Sequence, residues 1–242
     1  MSTKITSKRP RAVSSANGLA LPLLENGDRL DQKTFHERYE AMPEGVKAEL
    51  IGGIVYMASP LKKRHGRPHA QVMTWLGTYE EATPGVESLD NTTTIMGDKS
   101  EPQPDGCLLI LPEYGGQTRE DENENLVGSP EFIAEIASST ESIDLHAKRK
   151  DYERAGVREY MVAAVRQRQV FWWTHHKGKF KPLASGADGI FRSIVFPGLW
   201  LDSKALLRGD LRRLLAVLRQ GLATPDHAAF ARELAGRKRA HS

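Results

Sequence analysis

The stretch "PEFIAEIASSTESIDLHAKRKDYERAGVREYMVAAV", residues 130–165, constrains this chain more than any other. Its two apolar runs, "EFIAEIA" and "REYMVAAV", read as strands. The polar segment between them reads as a helix that Ser139, Thr140 or Ser142 can cap and Gly156 can end. One residue breaks the apolar logic. The strand period puts Glu135 on a face with Ile133 and Ala137, while Phe132, Ala134 and Ile136 point the other way. A carboxylate in such a strand is costly unless it is paired or holds a metal ion.

A second acid repeats the pattern. In "EPQPDGCLLI", Asp105 follows Pro104 and leads straight into an apolar run. Proline cannot donate to a sheet ladder, so it suits the first position of a strand or an edge. Taken singly, each acid is well explained by a surface salt bridge or a turn cap. Two such strands followed by a lysine-bearing helix shift the balance. Asp144, Lys148 and Tyr152 recur every four residues and so share one helix face. An ordinary Asp–Lys surface pair accounts for that spacing, and so does a lysine aimed at the two acids. In the second case Asp105 and Glu135 hold a divalent ion beside a cation. Mg²⁺ prefers oxygen ligands and keeps several waters, so two carboxylates and a backbone carbonyl suffice. Such an ion lowers the pKa of bound water and neutralises charge developing on a phosphate, as a metal-dependent phosphodiesterase requires.

The remainder frames these residues. Residues 1–25 are polar and basic and read as a flexible arm, with Lys4, Lys8, Arg9 and Arg11. A helix follows, capped by Asp31, with Phe35, Tyr39 and Met42 at helical spacing. "KAELIGGIVYMA" predicts a hairpin turning at Gly52-Gly53. "PHAQVMTWLGTYEEA" predicts a helix with Val72, Trp75, Leu76 and Tyr79 on one face. Residues 112–130 read as a polar loop, and four further strands follow Gly156. "SKALLRGDLRRLLAVLRQGL" and "TPDHAAFARELAGRKR" read as C-terminal helices. The stripe Leu211, Leu214, Leu215 and Leu218 fits either a dimer interface or core packing. This order of elements predicts an α/β domain, a central mixed sheet flanked by helices. The expected division is an arm over 1–25, a domain over 26–208 and a helical extension over 209–242.

A single cysteine, Cys107, excludes an internal disulfide framework and a cysteine-based zinc cluster, and points to the cytoplasm. The chain has no stretch near the ~20 apolar residues of a membrane span. With 34 basic and 31 acidic residues the net charge is +3, too small to name a partner. His65 and His69 lie among Lys62, Lys63 and Arg64 in a segment that either tracks a phosphate backbone or is a solvated loop.

Four segments together, "ELIGGIVYMASP", "PQPDGCLLI", the 130–162 block and "FPGLWLD", resemble the Uma-two family of bacterial restriction-endonuclease-like proteins, within the PD-(D/E)XK nuclease superfamily. The resemblance spans roughly residues 20–205. It implies a restriction-endonuclease-like core, with Asp105 as the acid of the PD motif, Glu135 as the second metal ligand and Glu49 as a third ligand or orienting group. The lysine expected two residues after the second acid is replaced by Ala137, and the family places its lysine in the following helix, at Lys148. Lys150 is a weaker candidate, and Tyr152 matches a recurrent position that packs near the lysine. The implied activity is Mg²⁺-dependent (or Mn²⁺-dependent) DNA endonuclease chemistry, with nucleic acid as the partner, no membrane, and a homodimer compatible with it. The alternative is a catalytically silent nuclease fold that binds DNA or protein in connection with mobile elements. A nuclease for RNA or branched DNA would share the same site.

Overall fold

The computed structural model describes residues 12–14, 20–58 and 62–241. They form two compact units, one drawn from 1–59 with 97–101 and the other from 60–96 with 102–242.

In the smaller unit, β1 (Ala12–Ser14) pairs antiparallel with β2 (Ala20–Pro22), and α1 (Gln32–Glu40) follows. The expected arm is therefore partly structured, and Leu24 is buried. Lys4, Lys8, Arg9 and Arg11 lie outside the described residues. Asp31 caps α1 by accepting from the Thr34 amide at 2.8 Å. Phe35 stacks on Tyr39 and packs with Leu24, Ala48, Leu50 and Val55. The hairpin forms as expected from β3 (Ala48–Ile51) and β4 (Ile54–Met57). Gly52 and Gly53 both take positive φ, 59° and 80°, which a two-residue turn of this kind requires. Glu101 is buried beside this hairpin, where Gln32 and His36 donate to its carboxylate.

The larger unit begins with α2 (Lys63–Glu81), β5 (Val86–Leu89), β6 (Thr94–Ile95) and β7 (Gly106–Ile110). The loop expected over 112–130 contributes β8 (Arg119–Glu120) and β9 (Leu126–Val127), which form a small sheet with β6. Next come β10 (Phe132–Glu135), a π-helical turn (Ile143–Lys148), α3 (Arg149–Ala155), β11 (Glu159–Ala164), β12 (Gln169–His176) and β13 (Lys179–Pro182). The chain ends with β14 (Ile190–Arg192), β15 (Trp200–Asp202), α4 (Ser203–Arg208), α5 (Leu211–Leu222) and α6 (Pro225–His241).

The central sheet runs β13-β12-β11-β10-β7-β5. Only β10 and β11 are parallel, so the sheet is mixed. Both faces are covered, which explains why β10 and β11 are apolar almost throughout. On one face Phe132, Ala134, Met161 and Trp172 meet α2, α4 and α5 through Trp75, Leu76, Leu206, Leu214 and Leu218. On the other, Ile133, Ala137, Tyr160 and Val162 meet Leu145 and Tyr152.

Two boundaries depart from expectation. α2 starts at Lys63 and contains Pro68, so the basic segment once open to a loop reading is helical. Pro68 is the sixth residue of the helix, past the first turn, so it removes one amide from the ladder and α2 runs on regardless. The C-terminal segment breaks at Gly209, φ 77°, and Asp210 caps α5 by accepting from the Arg213 amide. Leu214 and Leu218 are fully buried in the core of the sheet, and Leu211 and Leu215 pack against it, so the stripe is a core face. Each fully buried leucine contributes about 1.5–3 kcal/mol. Among the described residues no helix is long and apolar enough to cross a membrane.

Candidate active site

The antiparallel register of β7 and β10 sets Gly106 opposite Ala134, which brings Asp105 to the end of β10 that carries Glu135. Gly106 has a local reason. A side chain there would start 2.8 Å from Met73 Sδ on α2, so glycine lets helix and sheet approach. Asp105 Oδ2 accepts from the Ile136 amide at 2.6 Å, satisfying a backbone donor just past the ladder.

His65 comes from the first turn of α2 and is 7% exposed. Its Nδ1 donates to the Ile136 carbonyl at 2.9 Å, and its Nε2 lies 3.3 Å from Asp105 Oδ1. With Nδ1 carrying a proton, Nε2 would aim a lone pair at a carboxylate unless it too were protonated. Accordingly the hydrogen bond to Asp105 raises the His65 pKa above its ordinary value, against the opposing effect of burial. Burial pushes the Asp105 carboxyl up, but His65, the Lys148 charge and the Ile136 amide together hold it below the usual range. One turn on, His69 Nε2 donates to the Asp105 carbonyl at 2.8 Å and lies 3.0 Å from Asp90.

Glu135 is 3% exposed and Lys148 5%. Lys148 Nζ and Tyr152 Oη both donate to Glu135 Oε1, at 2.9 and 2.8 Å. The π-helical turn aims Lys148 at the sheet, and such turns recur at functional sites. Asp144 lies 4.0 Å from the ammonium and is held by the Thr140 hydroxyl, while Tyr160 Oη donates to the Asp144 carbonyl. Tyr152 and Tyr160 meet edge to face.

The structure thus gathers Asp105, Glu135, Lys148, Tyr152 and His65. Lys150 is exposed on α3 and belongs to no such cluster. Glu49 stands on β3 of the smaller unit, opposite Tyr56. Sequence reasoning missed the Ile136 peptide, whose amide and carbonyl tie Asp105 and His65 to the residue after Glu135. Backbone donors leave no sequence signal. The four-residue spacing of His65 and His69 did offer one, since both fall on one helix face.

The donors open to a hard cation are the two carboxylates, because the Ile136 carbonyl lies across the His65 ring from Asp105. Among the described residues no group of three or more His, Cys, Asp and Glu side chains is arranged to hold a metal ion. Mg²⁺ fits two carboxylates because it retains most of its waters.

The opposite end of the same strands carries two more buried acids. Glu131 accepts from the Ile110 and Gln117 amides at 2.9 and 3.1 Å. Glu159, paired with Phe132 across the parallel ladder, accepts from Ser193 Oγ at 2.5 Å and from the Ile194 amide at 2.8 Å. Burial pushes the Glu159 carboxyl up to about 7.

The mixed sheet, covered on both faces and bearing acids at the end of two adjacent strands, is the architecture of a nuclease-like α/β fold. The chain belongs to the Uma2 family, described as "Putative restriction endonuclease", whose model matches residues 34–204. Among solved structures, the chain is similar to a protein from Anabaena variabilis ATCC 29413 described as "a putative nuclease belonging to DUF820". The two share 13% identity with a TM-score of 0.55, over 71% of this chain and 97% of that one. That likeness is one of fold. No curated protein matches the chain.

Proposed function

We propose that this protein is a metal-dependent DNA endonuclease hydrolysing phosphodiester bonds, with Asp105 and Glu135 as the Mg²⁺ or Mn²⁺ ligands and Lys148 as the catalytic cation. The observation that carries the reading is a buried lysine placed on one carboxylate while the neighbouring peptide holds the other. A bound divalent ion would supply Lewis acidity and a water of lowered pKa. The protein's own groups have distinct tasks. The Ile136 amide and His65 fix the Asp105 carboxylate, and Tyr152 fixes Glu135. Lys148 presents a positive charge where negative charge develops on the phosphate during in-line attack, in a site sheltered from water.

A second reading has its own support: Ile136, His65, Lys148 and Tyr152 already serve both carboxylates without an ion. In that case the fold binds nucleic acid or protein and does not cleave. Plasmid and single-stranded DNA incubated with Mg²⁺ or Mn²⁺ separates the two. Cleavage lost in both Asp105→Ala and Lys148→Ala is the expected result. Cleavage surviving both would remove this site from the mechanism, and an inert wild type that still binds metal by calorimetry would favour the silent fold.

A further inference from the structure

The start of α2 carries cations that the candidate site leaves unused. Lys62, Lys63, Arg64 and Arg67 are exposed around His65, the residue that reaches Asp105. From Lys62 to Tyr79 the chain has no acidic residue. A solvated helix face ordinarily mixes signs. Lys62, Lys63 and Arg64 form no ion pair among the described residues, and three acids around α2 and the end of α4 have other partners. Asp90 faces His69, Asp105 faces His65, and Asp210 caps α5.

Arg67 is also braced. Its guanidinium donates to the Gly209 carbonyl at 3.0 Å and packs so closely that a Cβ on Gly209 would fall 2.4 Å away. Gly209 closes α4, and its neighbour Arg208 is exposed. The cations therefore continue from the first turn of α2 to the end of α4.

We propose that this basic rim is the path of a nucleic-acid backbone, whose phosphates rest on Lys62, Lys63, Arg64 and Arg67 as the strand passes Asp105 and Glu135. The inference rests on the nuclease reading for its location. Contacts of this kind go to phosphates, so they add affinity without sequence preference. The hairpin of β12 and β13 is a natural contrast. It carries Lys177, Lys179 and Lys181, yet it lies at the sheet edge, three strands from β10, and Lys179 is paired with Glu153.

The test is fluorescence anisotropy with labelled duplex and single-stranded oligonucleotides in EDTA, between ~50 and ~200 mM salt. Lys62→Gln/Lys63→Gln/Arg64→Gln should weaken binding about 10- to 100-fold and flatten the slope of log affinity against log salt by about 2–3. Lys177→Gln/Lys179→Gln/Lys181→Gln should stay within about twofold of wild type. Thermal melts confirm that both variants are folded, and Lys63→Glu alone serves if the triple variant is not. Unchanged affinity and slope in the α2 variant would overturn the proposal, as would an equal loss in the hairpin variant or a wild type that binds neither oligonucleotide. Because EDTA suppresses cutting, intact binding without any later metal-dependent cleavage would sink the nuclease reading and leave the path standing.

Discussion

The two ends of β10 treat buried acids in opposite ways. Glu131 and Glu159, at one end, are held by backbone amides and a serine hydroxyl, and each ties a loop to the sheet. Glu135, at the other, is held by an ammonium and a phenol, with Asp105 close by and bound to a histidine. The Ile136 amide also serves Asp105, so the contrast between the ends lies in the ammonium, phenol and imidazole that join the acids at one end alone. Burial does not separate the two ends; the side-chain partners do, and the proposed site rests on that difference.

The contrast can be broken at several points. Lys148→Ala strands a buried carboxylate, and the expected loss of stability is about 3–5 kcal/mol in urea unfolding. A loss near zero would mean that the pair contributes function alone. At the other end, the raised pKa of Glu159 makes the folded state bind its proton more tightly than the unfolded chain. Stability is then fully present below the ordinary glutamate range and falls as pH rises towards about 7. Melting between those limits should lose on the order of 3 kcal/mol, and Glu159→Gln should flatten the curve. If the slope persists in that variant, another group is responsible.

Activity sharpens the same comparison. Glu135→Gln should lower metal-dependent DNA cleavage by about 100-fold or more, roughly 2.7 kcal/mol, whereas Glu159→Gln stays within about twofold per unit of folded protein. Equal losses would erase the distinction between the ends. A smaller loss of stability than from Lys148→Ala is expected from Tyr152→Phe, which removes one donor to a charged acceptor and should cost about 1.5–3 kcal/mol. Calorimetry on this variant would show whether the phenol also governs metal affinity.

Much of the framework was legible because its causes are local. Asp31 and Thr34 lie three residues apart, Gly52-Gly53 permits one kind of turn, and the alternation in "FIAEIA" assigns both faces of β10. What escaped had distant causes. Gly66 and Pro68 look like breakers, and α2 extends through them while His65 and His69 bond to residues 36 or more positions away. The leucine stripe of α5 has the same pattern whether it meets a partner or a sheet, and only the third dimension assigns it to the core. The anchoring of Asp105 by Ile136 uses an amide that every residue but proline possesses.

The π-helical turn from Ile143 to Lys148 has a consequence for how this protein can tolerate change. Such a turn is a rare and poorer way to wind a backbone, and an ordinary α-helix is one residue shorter per comparable loop. Deleting a residue such as Ala147 would let the segment relax into regular helix while swinging the preceding side chains about 100° relative to α3. Asp144 and Lys148 would then stand three residues apart, still on one helix face, so their pairing would survive while the residues before Ala147 turned away from their present partners on other elements. Length in this segment therefore governs where the turn meets the chain before it.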